Sequence, residues 1–470
     1  MVAFPAIDFI SRENAMCFPR IIFIIAITVL PVSGCHSGPT SEKLRKPVDT
    51  SVSRMMSVVS SGSLSAIKEM SLSQSSITIE FAKSGAGIAY IEPSKDKFRV
   101  VHNGHAGKLY NLIGHMAVSS DGSRVAYVVH QDDILKKVII DGSEGSLFSD
   151  VGMPVFSQDG KHVIYTVSQD DSSYIVLDGK IRYEYKIEQD PIFSPDSQYI
   201  AFAAKSSDEQ GKRFIISDLS LQDTKSFDSC GESFVASDDG TRLAVVCSVG
   251  NKRSVQVIDF LKRAVVSTGQ EHQDGRIERL RITPDNASLA YTFITSDWKR
   301  YIVYKGRKEQ IAIGDEFFSD PLVLSEPEGV GAIIGTVANA YLYRAFQQQN
   351  KKEKGYGYIS DFVSSKDGRH HAYIATKLNE FQMQVVVDGK EGPKFDKIVS
   401  PVFSPDGHLL VYRARQSGKR FLVVLDLKGK IVSRHREYEM VFQPVFIADG
   451  KSVAYGVLDG NEFWWKVEKL

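Results

Sequence analysis

The feature that most restricts the fold is a hairpin-like unit that recurs along the chain. "PVFSPDGHLLVYRA" at residues 401–414 is its clearest copy. Relatives begin at Ala117, Val155, Ile192, Val235, Ile282, Val363 and Phe446, with two weaker copies at Ala82 and Leu322, which makes ten. In each, apolar residues lead into Ser-Pro-Asp-Gly or a variant, and a β-branched and aromatic run follows. Pro presets φ, Asp caps its own turn and Gly supplies a positive φ, so the unit reads as two antiparallel strands around a tight corner. Some twelve residues on comes a second signature, "VIIDG" at Val138, "IVLDG" at Ile175 and "VVVDG" at Val385, with looser versions at Val255 and Tyr301. It reads as a third strand ending in another turn, and a short stretch such as Pro393 to Ile398 offers a fourth.

The corner residues Asp121, Asp159, Asp196, Asp239, Asp285, Glu328, Asp367, Asp406 and Asp449 follow one another at intervals of about forty residues. That period belongs to the four-stranded blade of a β-propeller. A thin sheet cannot bury both faces alone, whereas a ring of such sheets buries the faces of all. The expected fold is therefore an all-β propeller of about ten blades, with eight blades or two smaller propellers as alternatives because the copy at Leu322 is degenerate. The last copy ends at "EFWWKVEKL" with no fourth strand after it, and "AIKEMSLSQSSITIEFA" precedes the first clear hairpin. N-terminal residues are expected to complete the last blade.

"FSPDG" followed by "LLVY", together with "VVVDGKEG", resembles the WD-like repeats of the TolB-type β-propeller superfamily over roughly residues 75–470. The resemblance implies the fold. It leaves function open, since related blades serve periplasmic adaptors, the gating domain of prolyl-oligopeptidase-like enzymes and sugar lyases. TolB itself carries a separate α/β domain ahead of its blades; here a Ser-rich segment stands in that place.

Ahead of the repeats, "PRIIFIIAITVLPVSGC" sets Arg20 before an apolar stretch, Ile21 to Val32, that gives way to small residues and Cys35. It is too short and too abruptly ended for a spanning helix and reads as a secretory signal. "VSGC" resembles the lipobox of bacterial lipoproteins, which implies lipidation of Cys35; an ordinary cleaved signal is the other reading. Met16 is a candidate initiator. Residues 1–34 are thus read as signal peptide, 35–72 as a Ser-rich tether beside the lipid, and 73–470 as the propeller. His36 after the Cys leans towards the outer membrane by analogy, on its periplasmic side or at the cell surface.

Export to an oxidising compartment gives Cys230 and Cys247 the chance to bridge, because they sit near the open ends of one hairpin. Two inert buried thiols are the alternative, and neither Cys has a second Cys or His at zinc-ligand spacing. Lys plus Arg and Asp plus Glu both number 57, so no long-range field recruits nucleic acid. The Asp-Gly corners are explained by turn chemistry without calcium. His102, His105, His370, His371 and His408 are read as exposed loop or strand-end residues, and no metal or cofactor is expected. No G-x-S-x-G elbow, P-loop or dinucleotide fingerprint occurs. Gly329 to Tyr343 reads as two buried strands turning at Ala338 and Asn339, and Phe463, Trp464 and Trp465 as packing rather than a sugar platform. The expectation is a lipid-anchored envelope module that binds a protein or glycan without catalysis. An envelope hydrolase or lyase acting at the central funnel is the competing class.

Overall fold

In the computed structural model the chain divides into two units, Met1–His36 and Ser37–Leu470, and every described residue, 52–55 and most of 79–470, belongs to the second. These residues form ten antiparallel sheets and no helix, a ten-bladed propeller. Blade 4 shows the plan: an inner strand, Lys186–Phe193, then Tyr199–Lys205, Lys212–Asp218 and an outer strand, Thr224–Asp228, each paired with the next. Every expected corner that is described lies at or beside the turn between a blade's first and second strands; Asp285 and Asp449 lie outside the described residues. The degenerate copy is no exception, for Leu322–Ser325 pairs antiparallel with Glu328–Thr336, Ser325 opposite Glu328, and gives blade 7 its hairpin.

Three boundaries differ in detail from the sequence reading. Asn339, expected in the turn after Gly329, is instead the first residue of the returning strand, paired with Thr336, and Ala338 lies outside the described residues. The stretch from Pro393 to Ile398 is shared between the fourth strand of blade 8, Lys390–Phe395, and the inner strand of blade 9, Lys397–Phe403. As expected, N-terminal residues close the ring; the strand that does so is Val52–Met55, inside the segment read as tether, while residues 66–78 lie outside the described residues. Val52 pairs with Val467 and Met55 with Trp464, so the fourth strand of blade 10 comes from the front of the chain. Ile79–Phe81, at the end of the expected clasp, is instead the inner strand of blade 1.

Second strands are apolar on both faces: all but the last residue of Val125–His130 and of Ser452–Asp459 is buried. Strict in-out alternation disappears because a blade is sandwiched between two others. The core is accordingly divided among the seams. Each of the nine seams from blade 1/2 to blade 9/10 has its own apolar cluster, such as Val411, Leu422 and Val424 of blade 9 against Val453, Tyr455 and Val457 of blade 10. A fully buried side chain of this size contributes about 1.5–3 kcal/mol, more than an exposed ion pair, so seam packing dominates. The recurring "AY" ending belongs to this packing. Its Tyr meets a ring from the preceding blade's outer edge, as in Tyr110–Tyr127, His272–Tyr291, Tyr356–Tyr373 and Phe395–Tyr412, with centroids 5.7–6.3 Å apart.

The corners are locked by a residue the sequence reading passed over, the Ser two positions before the Asp. In blade 2, Ser119 is fully buried; its Oγ donates to Asp121 at 2.6 Å and accepts the backbone N–H of Arg124 at 3.0 Å. The pattern repeats at Ser157, Ser194, Ser237, Ser365 and Ser404. Successive corners also touch. Gly122 has φ +80°, and a Cβ there would lie 2.6 Å from the backbone of Gly87 in blade 1, so only glycine fits. A second latch ties the residue after the corner to the Asp of the third-strand signature: His162 to Asp178, His370 to Asp388 and Arg124 to Asp141, at 2.7–2.8 Å.

Candidate functional site

Inner strands border the central channel of a propeller, and here nine of the ten are interrupted midway. The register slips between Ile113 and Met116, Ile187 and Ile192, Cys230 and Phe234, Glu278 and Arg281, Ser360 and Val363, and Val399 and Val402. In blades 3, 7 and 10 the strand is split in two, as in Asp150–Val151 and Val155–Phe156. Bulges re-aim side chains and free backbone groups, and they gather at functional surfaces. Arg279, Asp361 and Ser400 at these breaks adopt φ of 54°, 49° and 57°.

The polar groups so presented are bonded from blade to blade. Thr166 of blade 3 donates to Asp190 of blade 4 at 2.7 Å. The Gln189 side chain of blade 4 exchanges two hydrogen bonds with the Phe234 backbone of blade 5, at 2.9 and 3.0 Å. Arg253 holds Glu232 at 2.9 Å and donates to the Gly275 carbonyl of blade 6 at 2.8 Å. Arg279 of blade 6 pairs with Asp320 of blade 7 at 2.6 Å, and Arg413 of blade 9 donates to Ser400 and to the Val441 carbonyl of blade 10. On the inner strand of blade 1, burial raises the Glu80 carboxyl above its ordinary range.

Outside the inner ring, a cleft of about 390 Å³ opens between blades 5 and 6, bordered by Val257, Val266, Gln270, Leu289, Tyr291 and Lys305. Next to its wall, at Tyr291, His272 is buried, hydrogen-bonded to the Tyr291 hydroxyl at 2.8 Å and stacked on Phe293 at 4.5 Å. Burial, with Lys308 adding to it, depresses this imidazole to about 4 and keeps it neutral at ordinary pH. Sequence reasoning missed His272, whose neighbours along the chain carry no motif.

The other histidines divide. His105 and His408 are exposed, and His102 bonds the Gly122 carbonyl at 3.0 Å. His371 overturns the expectation of an exposed residue: it is 3 % exposed and faces Glu353 at 3.6 Å and Asp388 at 3.1 Å, while Arg344 bonds the same Glu353 at 2.5 Å. Its neighbour His370 takes the other Asp388 oxygen at 2.7 Å, so two adjacent residues share one carboxylate although a strand turns them apart. Burial opposes the charge on His371, but the bonds to Asp388 and Glu353 prevail and raise its pKa. Among the described residues no three His, Cys, Asp or Glu side chains gather as a metal site.

Cys230 and Cys247 are direct partners in the blade 5 register and their sulfurs are joined. Trp464 packs into the cluster shared by blades 9 and 10, and Gly329 to Tyr343 supplies two paired strands of blade 7. Cys35, the signal stretch and the tether other than 52–55 lie outside the described residues.

No protein family matches the chain, and no curated protein does. Solved structures resemble it in backbone only. A eukaryotic initiation factor is 12 % identical with a TM-score of 0.43, covering 76 % of this chain and 96 % of that one. The Dos1 propeller is 13 % identical with a TM-score of 0.38, covering 75 % and 92 %. The β-propeller domain of the Trilobed protease from Pyrococcus furiosus, described as having an open velcro topology, is 14 % identical with a TM-score of 0.31, covering 68 % and 95 %. The fold assignment rests on the strand topology of the chain itself, which is a propeller module.

Proposed function

We propose that the chain is an exported, lipid-anchored propeller of the cell envelope that binds a protein or glycan without transforming it. The observation that carries this reading is the set of bonds running between blades along the interrupted inner strands, from Thr166–Asp190 to Arg279–Asp320 and Arg413–Val441. A general acid, base or nucleophile must be left available to exchange a proton or attack. Groups engaged in cross-blade bonds instead fix a rigid polar rim, which suits recognition, where ordering costs are low. The lipobox-like "VSGC" supports attachment through Cys35, with the propeller on the periplasmic side of the outer membrane or at the cell surface.

Two measurements test the reading. Cys35→Ser is expected to move the protein from the membrane to the soluble fraction, and unchanged membrane retention refutes lipidation there. Crosslinking of the full-length lipidated protein in intact envelopes is expected to trap a discrete complex. Turnover of an envelope glycan or peptide by the purified protein, abolished by substitutions at the inner-strand breaks, would replace the binding module with a hydrolase or lyase.

A further inference from the structure

A left-handed residue recurs at the turn between a blade's second and third strands: Gly250, Gly418 and Gly460 in blades 5, 9 and 10, each with open space where a side chain would stand, and Lys95, Asp170 and Asn379 in blades 1, 3 and 8. In blade 6 the left-handed position of the three-residue loop, Ser296 to Trp298, is held by Trp298 at φ 62°. Glycine, Asn and Asp take such a φ most readily, and a bulky aromatic residue there is strained. Strain of this kind persists only where its surroundings hold it, and it clusters at functional positions.

Its surroundings do hold it. The Trp298 N–H donates to the Thr295 carbonyl at 3.0 Å, the Thr295 hydroxyl bonds Asp297, and Lys299 both donates its N–H to that hydroxyl at 3.1 Å and pairs with Asp297 at 2.7 Å. The indole nevertheless stays 56 % exposed, so packing does not account for the residue. Arg276 on the inner strand of the same blade lies over the ring, its guanidinium 5.3 Å from the centroid. Glu278 holds the Arg276 Nε at 2.5 Å, which leaves the terminal nitrogens as donors. A flat apolar face, a fixed cation and a carboxylate thus stand together on one rigid tip. At equivalent turns Ile134 and Val249 stand singly, and blade 8 exposes Leu378 and Phe381 together, but none of these turns carries an indole beneath a guanidinium.

We infer that Trp298 and Arg276 form a subsite for a carboxylate-bearing sugar, the indole stacking on the ring and the guanidinium taking the acid in its two-pronged fork. The inference rests on the binding-module reading and names its ligand class. A platform confined to one blade matches one or two sugar units, whereas a stable protein interface needs about 800 Å² from each partner.

The test uses the full-length protein in native gels containing polygalacturonate, soluble peptidoglycan fragments or starch, with melting temperature recorded in parallel. The wild type should be retarded by at least one acidic polymer and not by starch. Trp298→Gly should weaken that retardation at least tenfold while leaving the melting temperature equal or higher, because glycine relieves the backbone; Trp298→Tyr should keep part of the binding. Arg276→Gln should abolish the preference for the acidic polymer. Equal retardation of Trp298→Gly, or of the wild type by starch, overturns the inference. Absence of any retardation overturns it as well, and if a discrete protein complex is then trapped in envelopes, the binding-module reading survives without the sugar.

Discussion

Replacing Ser119 by Ala isolates the lock that the repeat places at each corner. The substitution removes the 2.6 Å bond from Oγ to Asp121 and leaves the Arg124 N–H without its 3.0 Å acceptor, while Cβ stays in place against the Gly160 corner. A hydrogen bond to a charged group is worth about 1.5–3 kcal/mol and an orphaned donor costs about 1–3 kcal/mol. Asp121 also accepts from the Ser123 hydroxyl and N–H and keeps access to water, so the loss should fall near the low end, about 2 kcal/mol. With an unfolding entropy of about 2.1 cal/mol/K per residue over roughly 390 residues, that is a fall in melting temperature of about 2–3 °C. The loss should also depend on acid. The bond from Ser119, then those from Ser123, hold the Asp121 carboxyl down at about 2, below its ordinary 3.8. A depressed carboxylate contributes stability above its unfolded pKa and loses it as pH falls through the folded value. The gap between wild type and Ser119→Ala should therefore be full at pH 6 and shrink as pH falls from about 4 towards 2. Calorimetry at the two ends decides it: an unchanged melting temperature at pH 6, or a gap that does not shrink in acid, refutes the lock.

Three further outcomes are expected. Reducing the Cys230–Cys247 bridge, which spans 17 residues, should cost about 3 kcal/mol, read as a lower melting temperature in dithiothreitol that Cys230→Ser/Cys247→Ser reproduces without reductant. Gly122→Ala should destabilise strongly, since its Cβ would sit 2.6 Å from the Gly87 backbone, whereas Gly142→Ala, equally left-handed but with nothing within 4 Å, should cost only about 1 kcal/mol; equal losses in urea titrations would remove the claim that corners touch. His371 is held protonated by Asp388 and Glu353, so its contribution is full below the unfolded histidine pKa and fades as pH rises through the higher folded value; the melting-temperature gap to His371→Gln should narrow from pH 5.5 to 9, and a gap that widens contradicts the network.

The hairpins and their period were legible because a Pro-Asp-Gly corner followed by "LLVY" encodes a turn and a strand locally, and ten repetitions leave few ways to bury the faces. The parts that escaped depend on neighbours distant in sequence. Ser119 looks like any turn serine until its hydroxyl is seen buried between Asp121 and the returning strand. The Tyr of "AY" reads as strand propensity, although its ring is placed by Tyr110, Tyr356 or Phe395 of the blade before. Val52–Met55 is inconspicuous in a Ser-rich stretch, for what recruits it is an open edge more than 400 residues downstream. At the inner rim the sequence showed only scattered charges, since the breaks that aim Arg279 and Ser400 are register slips with no fixed residue signature. His371 was misjudged because its two carboxylates arrive from the preceding blade's edge and from a later strand of its own.

Pairing Val52 with Val467 also sets an order of events. Chains emerge from the ribosome front end first, and domains tend to fold as they appear. Here the strip made among the earliest has to wait, unpaired, until the final hairpin exists, while the seams between the earlier blades zip up behind it. A nascent or prematurely stopped chain would thus carry a bare edge at its growing end and a loose ribbon at its start, a combination that invites pairing with a neighbouring copy. Closure is the one step that only a finished molecule can take.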